Sequence, residues 1–166
     1  MASWQDRHNI RLREYDYNTP GAYFLTICVE SKKCILSRIA GMDAIEGPSV
    51  ELLSYGQIAA KYINQLNEFY DDLSVESYVI MPNHIHILLR VLEGPQNTLS
   101  STVQNSIVSR FISTFKRFCN KEYGKNIWQA RSYDHVIRDQ TDFDKHLKYI
   151  YENPFKWTTD ELFEQE

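Results

Sequence analysis

The stretch Val79-Ile80-Met81-Pro82-Asn83-His84-Ile85-His86-Ile87-Leu88-Leu89 sets two histidines one residue apart in an otherwise apolar run. Pro82-Asn83 suits a tight turn, so the run divides into the end of one strand, "SVESYVIMP", and the start of the next, "HIHILLRVL". Side chains alternate across a strand, which puts His84, His86, Leu88 and Arg90 on one face and Ile85, Ile87, Leu89 and Val91 on the other. The aliphatic set suits a face covered by helices. The two imidazoles then stand side by side on the opposite, open face, near enough to share one metal ion. Such a pair is a weak signal by itself, and the competing reading is two polar residues on a partly exposed sheet face.

Working outward, "GAYFLTICVE" is aromatic and β-branched and follows Pro20-Gly21, which predicts a strand at about 23 to 29. "KKCILSRIAGMDAI" reads as a short hairpin turning near Gly41. Apolar residues at helical spacing from Leu52 to Leu66 predict a first long helix over 50–68, and Ile107, Val108, Phe111, Ile112, Phe115 and Phe118 predict a second over 100–121. "YDHVIRD" is the last strand. Thr141 is the expected N-cap of a final helix whose inward stripe is Phe143, Leu147 and Ile150, and which stops at Pro154. Strand, helix, two strands, helix, strand is the order of a ferredoxin-like α+β sandwich, with helices on one face of an antiparallel sheet and the other face open.

On the final helix Tyr149 and Asn153 lie four residues apart and share a face beside the apolar stripe, with His146 nearby. Asn153 can offer an amide oxygen to a cation and Tyr149 a phenol, a candidate nucleophile beside a candidate metal. The plainer reading makes Tyr149 a packing residue and Asn153 a C-cap ahead of Pro154.

Length and composition fit one domain spanning 1–166: 43% of residues are hydrophobic and 24% charged, and 11 tyrosines help raise the aromatic share to 13%. No apolar run is long enough for a bilayer span or a signal peptide, so a cytoplasmic location and no membrane partner are expected. Cys28, Cys34 and Cys119 form neither a CxxC pair nor an even set and are expected to be reduced, buried thiols. The net charge of −4 argues against nonspecific coating of nucleic acid, but its distribution is uneven. Residues 43–76 are acidic, whereas residues 99–126 carry Arg110, Lys116, Arg117, Lys121 and Lys125 against Glu122.

"YVIMPNHIHILL", "WQARSYDHVIRD" and "HLKYIYENPFKW", preceded by "IRLREYDYNTPGAYFLTIC", resemble the single-tyrosine HUH transposases, and among them the REP-associated tyrosine transposases of bacteria. The resemblance runs over about residues 7 to 157. It implies a ferredoxin-like fold, an Mg²⁺ or Mn²⁺ ion held by His84, His86 and the amide of Asn153, and Tyr149 as a nucleophile that cleaves single-stranded DNA. Other members of the wider group carry glutamine, one methylene longer, where this chain has Asn153. The implied product is a 5′-phosphotyrosine with a free 3′-hydroxyl, from which strands can be rejoined. The implied partner is single-stranded or hairpin-bearing DNA, handled by a monomer or a homodimer.

Arg7, Arg11 and Arg13, with Arg110, Lys116 and Arg117 on the second long helix, are the candidates for DNA backbone contacts, and Arg138 for the phosphate or a local acid. His135 and His146 are candidate supports of the metal ligands. Two other functions stay open: a DNA-binding protein of the same fold that does not cut, and a metal phosphodiesterase that uses water, with Tyr149 only packing. The acidic end "TTDELFEQE" is expected to be a disordered tail.

Overall fold

The computed structural model describes residues 15–93 and 106–165. Four strands form one antiparallel sheet: β1 (Gly21–Cys28), β4 (Leu73–Ile80), β5 (His84–Val91) and β6 (Tyr133–Val136), in the order β4-β5-β1-β6. This is the strand order of a ferredoxin-like sandwich, as the element order predicts. Two helices, α1 (Ser54–Phe69) and α2 (Ile107–Tyr123), pack side by side on one face. There Ala59, Ile63 and Leu66 of α1 and Phe111, Ile112 and Phe115 of α2 meet Leu25 and Ile27 of β1 and Ile85, Ile87 and Leu89 of β5 in the main core. The period of two in β5 and the helical period in α2 converge there, and each such buried aliphatic side chain contributes about 1.5–3 kcal/mol.

The other face is not open. A third helix, α3 (Gln140–Glu152), and the 3-10 turn Pro154–Thr159 lie on it, and Ile150 and Trp157 join Phe24, Val79, Met81 and Leu88 in a second, smaller core. Arg90 strengthens this seat, ion-pairing with Glu76 at 3.0 Å while its guanidinium stands 5.1 Å from the centre of the Phe143 ring. Strand β5 is thus covered on both sides, and His84 and His86 are 0% and 4% exposed.

Two boundaries differ from the sequence reading. Residues Ser49–Leu52, which fit a helical spacing, instead form strand β3 and pair with β2 (Ser37–Ala40) in a separate hairpin. Pairing with β2 satisfies their backbone, and Leu53 is still extended (φ −79, ψ 174), so α1 starts only at Ser54. The N-cap of α3 is Asp139, not Thr141: its carboxylate accepts from the Asp142 amide at 2.8 Å, and a carboxylate suits the positive end of a helix better than a hydroxyl. Helix α2 is capped by Ser106 and ends at Gly124, whose φ of 71 is a left-handed conformation that glycine adopts without penalty.

The acidic end does not trail away. Leu162 is 4% exposed, and Asp160 turns the chain by accepting the Leu162 amide at 2.7 Å. Cys28 and Cys119 are buried free thiols, while Cys34 is half-buried. Among the described residues no helix is long and apolar enough to cross a membrane.

Candidate active site

The site lies where the first residues of β5 meet the end of α3. His84 enters from the turn after β4, and that turn is pinned by Asn83, itself 1% exposed. Asn83 donates its amide to the Leu162 carbonyl at 2.7 Å and to the Lys32 carbonyl at 3.3 Å, and its Oδ1 lies 2.8 Å from His84 Nδ1. An amide oxygen only accepts, so His84 carries its proton on Nδ1 and leaves the Nε2 lone pair bare. That Nε2 is buried and has no hydrogen-bond partner. Burial pushes the His84 ring down to about 4, against the nearby Asp160 charge and the Asn153 amide, so the imidazole is neutral at physiological pH.

His86 is held in the same way from the neighbouring strand. Thr26 stands directly across from it in the β1–β5 register, and the threonine Oγ1 lies 2.9 Å from His86 Nδ1. Any coordination by His86 therefore falls to Nε2. The two rings are 4.6 Å apart between centres. Metal-binding histidines commonly fix their ring orientation through the other nitrogen, and both rings here are fixed that way.

From α3, Tyr149 sets its ring 5.2 Å from His86 and 5.9 Å from Phe24, both edge to face, and remains 38% exposed. Asn153, one turn later, is 1% exposed. Its Nδ2 donates to Asp160 Oδ2 at 2.9 Å, while its buried Oδ1 makes no hydrogen bond of ordinary geometry. The structure thus brings together His84, His86, Tyr149 and Asn153, as the alternation of β5 and the helical period of α3 predict. The buried Oδ1 of Asn153 and Nε2 of His84 are two lone-pair donors without protons, left bare at a cost of about 1–3 kcal/mol each, and a divalent cation fits such a donor set.

No family model matches the chain. A REP-associated tyrosine transposase of Escherichia coli is 33% identical over 82 residues, 49% of this chain and 44% of that protein. The chain is related to the REP-associated tyrosine transposases. An uncharacterized Haemophilus influenzae protein is 29% identical over 174 residues, covering 95% of this chain and 93% of its own length. The solved structure of a REP-associated tyrosine transposase bound to a REP hairpin superposes with a TM-score of 0.59 over 88% of this chain and 73% of that one. At 23% identity that likeness is one of fold. The chain spans less than half the length of the E. coli transposase it matches.

The cations expected from the sequence to contact DNA divide sharply in their placement. Helix α2 packs on the sheet face opposite the histidines, so Arg110, Lys116 and Arg117 do not converge on them. Arg110 ion-pairs with Asp72 and stacks on Tyr70, Lys116 donates to the Gln129 carbonyl at 2.8 Å, and Arg117 stands over Phe118. Arg138 is exposed just ahead of α3, and its backbone amide donates to Asp142 Oδ2 at 3.0 Å. Arg7, Arg11 and Arg13 lie outside the described residues. His135 and His146 both turn to Asp142, at 2.9 Å and 3.1 Å.

Four contributors escaped the sequence reading: Asn83, Thr26, Asp160 and Phe24. Thr26 and Phe24 had a signal in the alternation of β1, because both share the face of Cys28 and not that of Ile27. Asp160 had none, since an acidic residue in a polar end gives no hint of a partner seven residues back.

Proposed function

We propose that this protein is a transposase that cleaves and rejoins single-stranded DNA through Tyr149, at a divalent metal held by His84, His86 and Asn153. The observation that carries the reading is Tyr149 placed 5.2 Å from His86 at the mouth of a buried group of lone-pair donors, itself open enough for a large substrate to reach. The kinship with REP-associated tyrosine transposases supports it, and the fold shared with a transposase bound to a REP hairpin points to hairpin-bearing DNA as the substrate.

When bound, the metal, Mg²⁺ or Mn²⁺, supplies positive charge against the scissile phosphate. The chain's own residues do the rest. Asn83 and Thr26 hold the two imidazoles by Nδ1, and Asp160 holds the Asn153 amide by its nitrogen, so the donor atoms need no rearrangement before substrate arrives. Tyr149 Oη attacks phosphorus in line, one P–O bond forms to the tyrosine and the bond to O3′ breaks. The phenolic proton is lost to solvent and the departing 3′-oxygen gains one. Since one phosphodiester replaces another, a second 3′-hydroxyl reverses the step and joins strands. The Phe24 and His86 rings beneath Tyr149 fix its approach.

The test is to incubate 5′- and 3′-labelled single-stranded hairpin DNA with the protein and Mn²⁺ and to look for a protein–DNA adduct that survives denaturation. The reading expects an adduct with the wild type and none with Tyr149→Phe. Binding without an adduct in the wild type would leave a DNA-binding protein, and free 5′-phosphate ends released by Tyr149→Phe would make the nucleophile water.

A further inference from the structure

A second group of metal-binding side chains stands on the histidine face, away from the residues already assigned. His135 comes from β6, where it pairs across from Phe24. Asp142 and His146 are one turn apart on α3 and so share a helix face. His135 Nε2 lies 2.9 Å from Asp142 Oδ2, and His146 Nδ1 lies 3.1 Å from Asp142 Oδ1. One ligand atom from each of the three falls within 4.8 Å of the others. The two imidazoles stack at 21° with centres 4.7 Å apart, so their nitrogen edges face a single carboxylate.

We propose that His135, Asp142 and His146 form a second divalent-metal site, suited to a first-row transition ion of the Zn²⁺ type.

Two imidazoles and one carboxylate are the donor set of open zinc and related sites, in which water completes the coordination. Side-chain exposures of 42%, 17% and 18% for His135, Asp142 and His146 leave such water a way in. Bonds of about 2.0–2.1 Å to a tetrahedral ion put its ligands roughly 3.3 Å apart. The present separations of 2.9 Å and 3.1 Å run to different oxygens of Asp142, so a small turn of the carboxylate is needed to present one oxygen to both nitrogens, with one ligand atom from each residue already within 4.8 Å of the others. Entry of the ion asks His146 Nδ1 to give up its 2.8 Å contact with the Asp142 carbonyl, and the protons that His146 Nδ1 and His135 Nε2 direct at these acceptors pass to the other ring nitrogen of each imidazole, leaving the lone pairs for the ion. The ligands sit on a strand and a helix, so the site is built on rigid elements.

The alternative is a helix cap with two attached rings. Asp142 accepts the Arg138 amide at 3.0 Å, which accounts for the acid but for neither histidine. The group is also separate from the first site. His135 and His86 belong to strands on either side of β1, and Phe24 of β1 packs on His86 at 5.0 Å and on His146 at 4.7 Å. The proposal therefore stands apart from the transposase reading and needs no DNA chemistry.

Metal-stripped protein is equilibrated with Zn²⁺, passed through gel filtration and assayed for bound zinc, with a melting curve for each variant. About two ions per chain are expected in the wild type, falling to about one in His135→Gln/His146→Gln, which keeps polar side chains of similar size and leaves the Asp142 cap in place. Co²⁺ substitution should likewise lose one set of visible ligand-field bands. His84→Ala/His86→Ala should keep the ion at Asp142 while losing the other, so failure at the first site is distinguishable from failure at this one. Zinc content unchanged in His135→Gln/His146→Gln, or wild-type zinc abolished entirely by His84→Ala/His86→Ala, would overturn the proposal. Should the double glutamine variant fail to fold, single His135→Gln and His146→Gln variants take its place, each expected to weaken one ion's retention and leave the other's intact.

Discussion

The carboxylate of Asp160 accepts the amide nitrogen of Asn153 at 2.9 Å and thereby decides which end of that amide is left bare inside the site. An amide free to flip would present nitrogen as often as oxygen, and only oxygen can bind a cation. Asp160→Ala is therefore expected to weaken Mn²⁺ binding about 10- to 100-fold by calorimetry, the scale of a lost partner behind a metal ligand. It also strips the Leu162 amide of its acceptor, for a loss of about 1–3 kcal/mol in denaturant melts. Unchanged Mn²⁺ affinity would show that Asp160 does no more than close a turn.

Thr26 plays the corresponding part for His86, with Oγ1 at 2.9 Å from Nδ1. Thr26→Val keeps the shape of the side chain and removes the oxygen. Mn²⁺ affinity should fall by about tenfold or more, while Thr26→Ser, which restores the hydroxyl, should recover most of it. Equal affinities for the valine and serine variants would remove Thr26 from the site.

The neutral state of His84 makes metal-free protein sensitive to acid. Its folded value of about 4 lies below the ordinary 6.5, so between those limits the unfolded chain binds the proton more readily. Stability is complete above pH 6.5, declines as pH falls toward 4, and no longer changes through this group below that. The steepest slope from one such proton is about 1.4 kcal/mol per pH unit. Melting curves of the wild type and His84→Gln across this range should differ in slope, and parallel curves would show that the ring is not a buried neutral base.

Gly56 links helix α1 to the same region. A Cβ there would lie 2.0 Å from the Leu36 carbonyl oxygen, which also accepts the Leu53 amide at 2.9 Å, while the Leu36 amide donates to the Pro82 carbonyl at 3.0 Å. Alanine is the better helix former by about 1 kcal/mol, but overpacking against backbone costs about 1–3 kcal/mol or more. Gly56→Ala should therefore be destabilising overall in a chemical melt, in spite of its propensity.

What the sequence disclosed depended on whether a single period carried the information. The alternation of "HIHILL" separates His84 and His86 from Ile85 and Ile87, and the 3.6-residue period of α3 groups Tyr149 and Asn153 beside Ile150, so both halves of the site could be read locally. That α3 and Trp157 would cover the histidine face could not, because the second core needs Phe24, Val79, Leu88 and Ile150 from four separate elements. The placement of the α2 cations, away from the histidines, was hidden for a related reason. A charge run shows which residues are polar but not which face of the sheet the helix covers, nor that Asp72 awaits Arg110. Leu52 and Leu53 fitted a helix by spacing, and only pairing with the Ser37–Ala40 strand explains why Leu52 is not in one. Asp160 was out of reach of any local pattern.

The His84 ring and the Asn153 amide face one another although the chain must run through β5, α2, β6 and α3 to join them. During synthesis the sheet and both long helices can fold with the histidines already in place, while Tyr149 and Asn153 are still to be made. A nascent chain of this kind passes through a stage with its sheet formed and Tyr149 and Asn153 absent, so the group of side chains that β5 begins is completed only once α3 has been made.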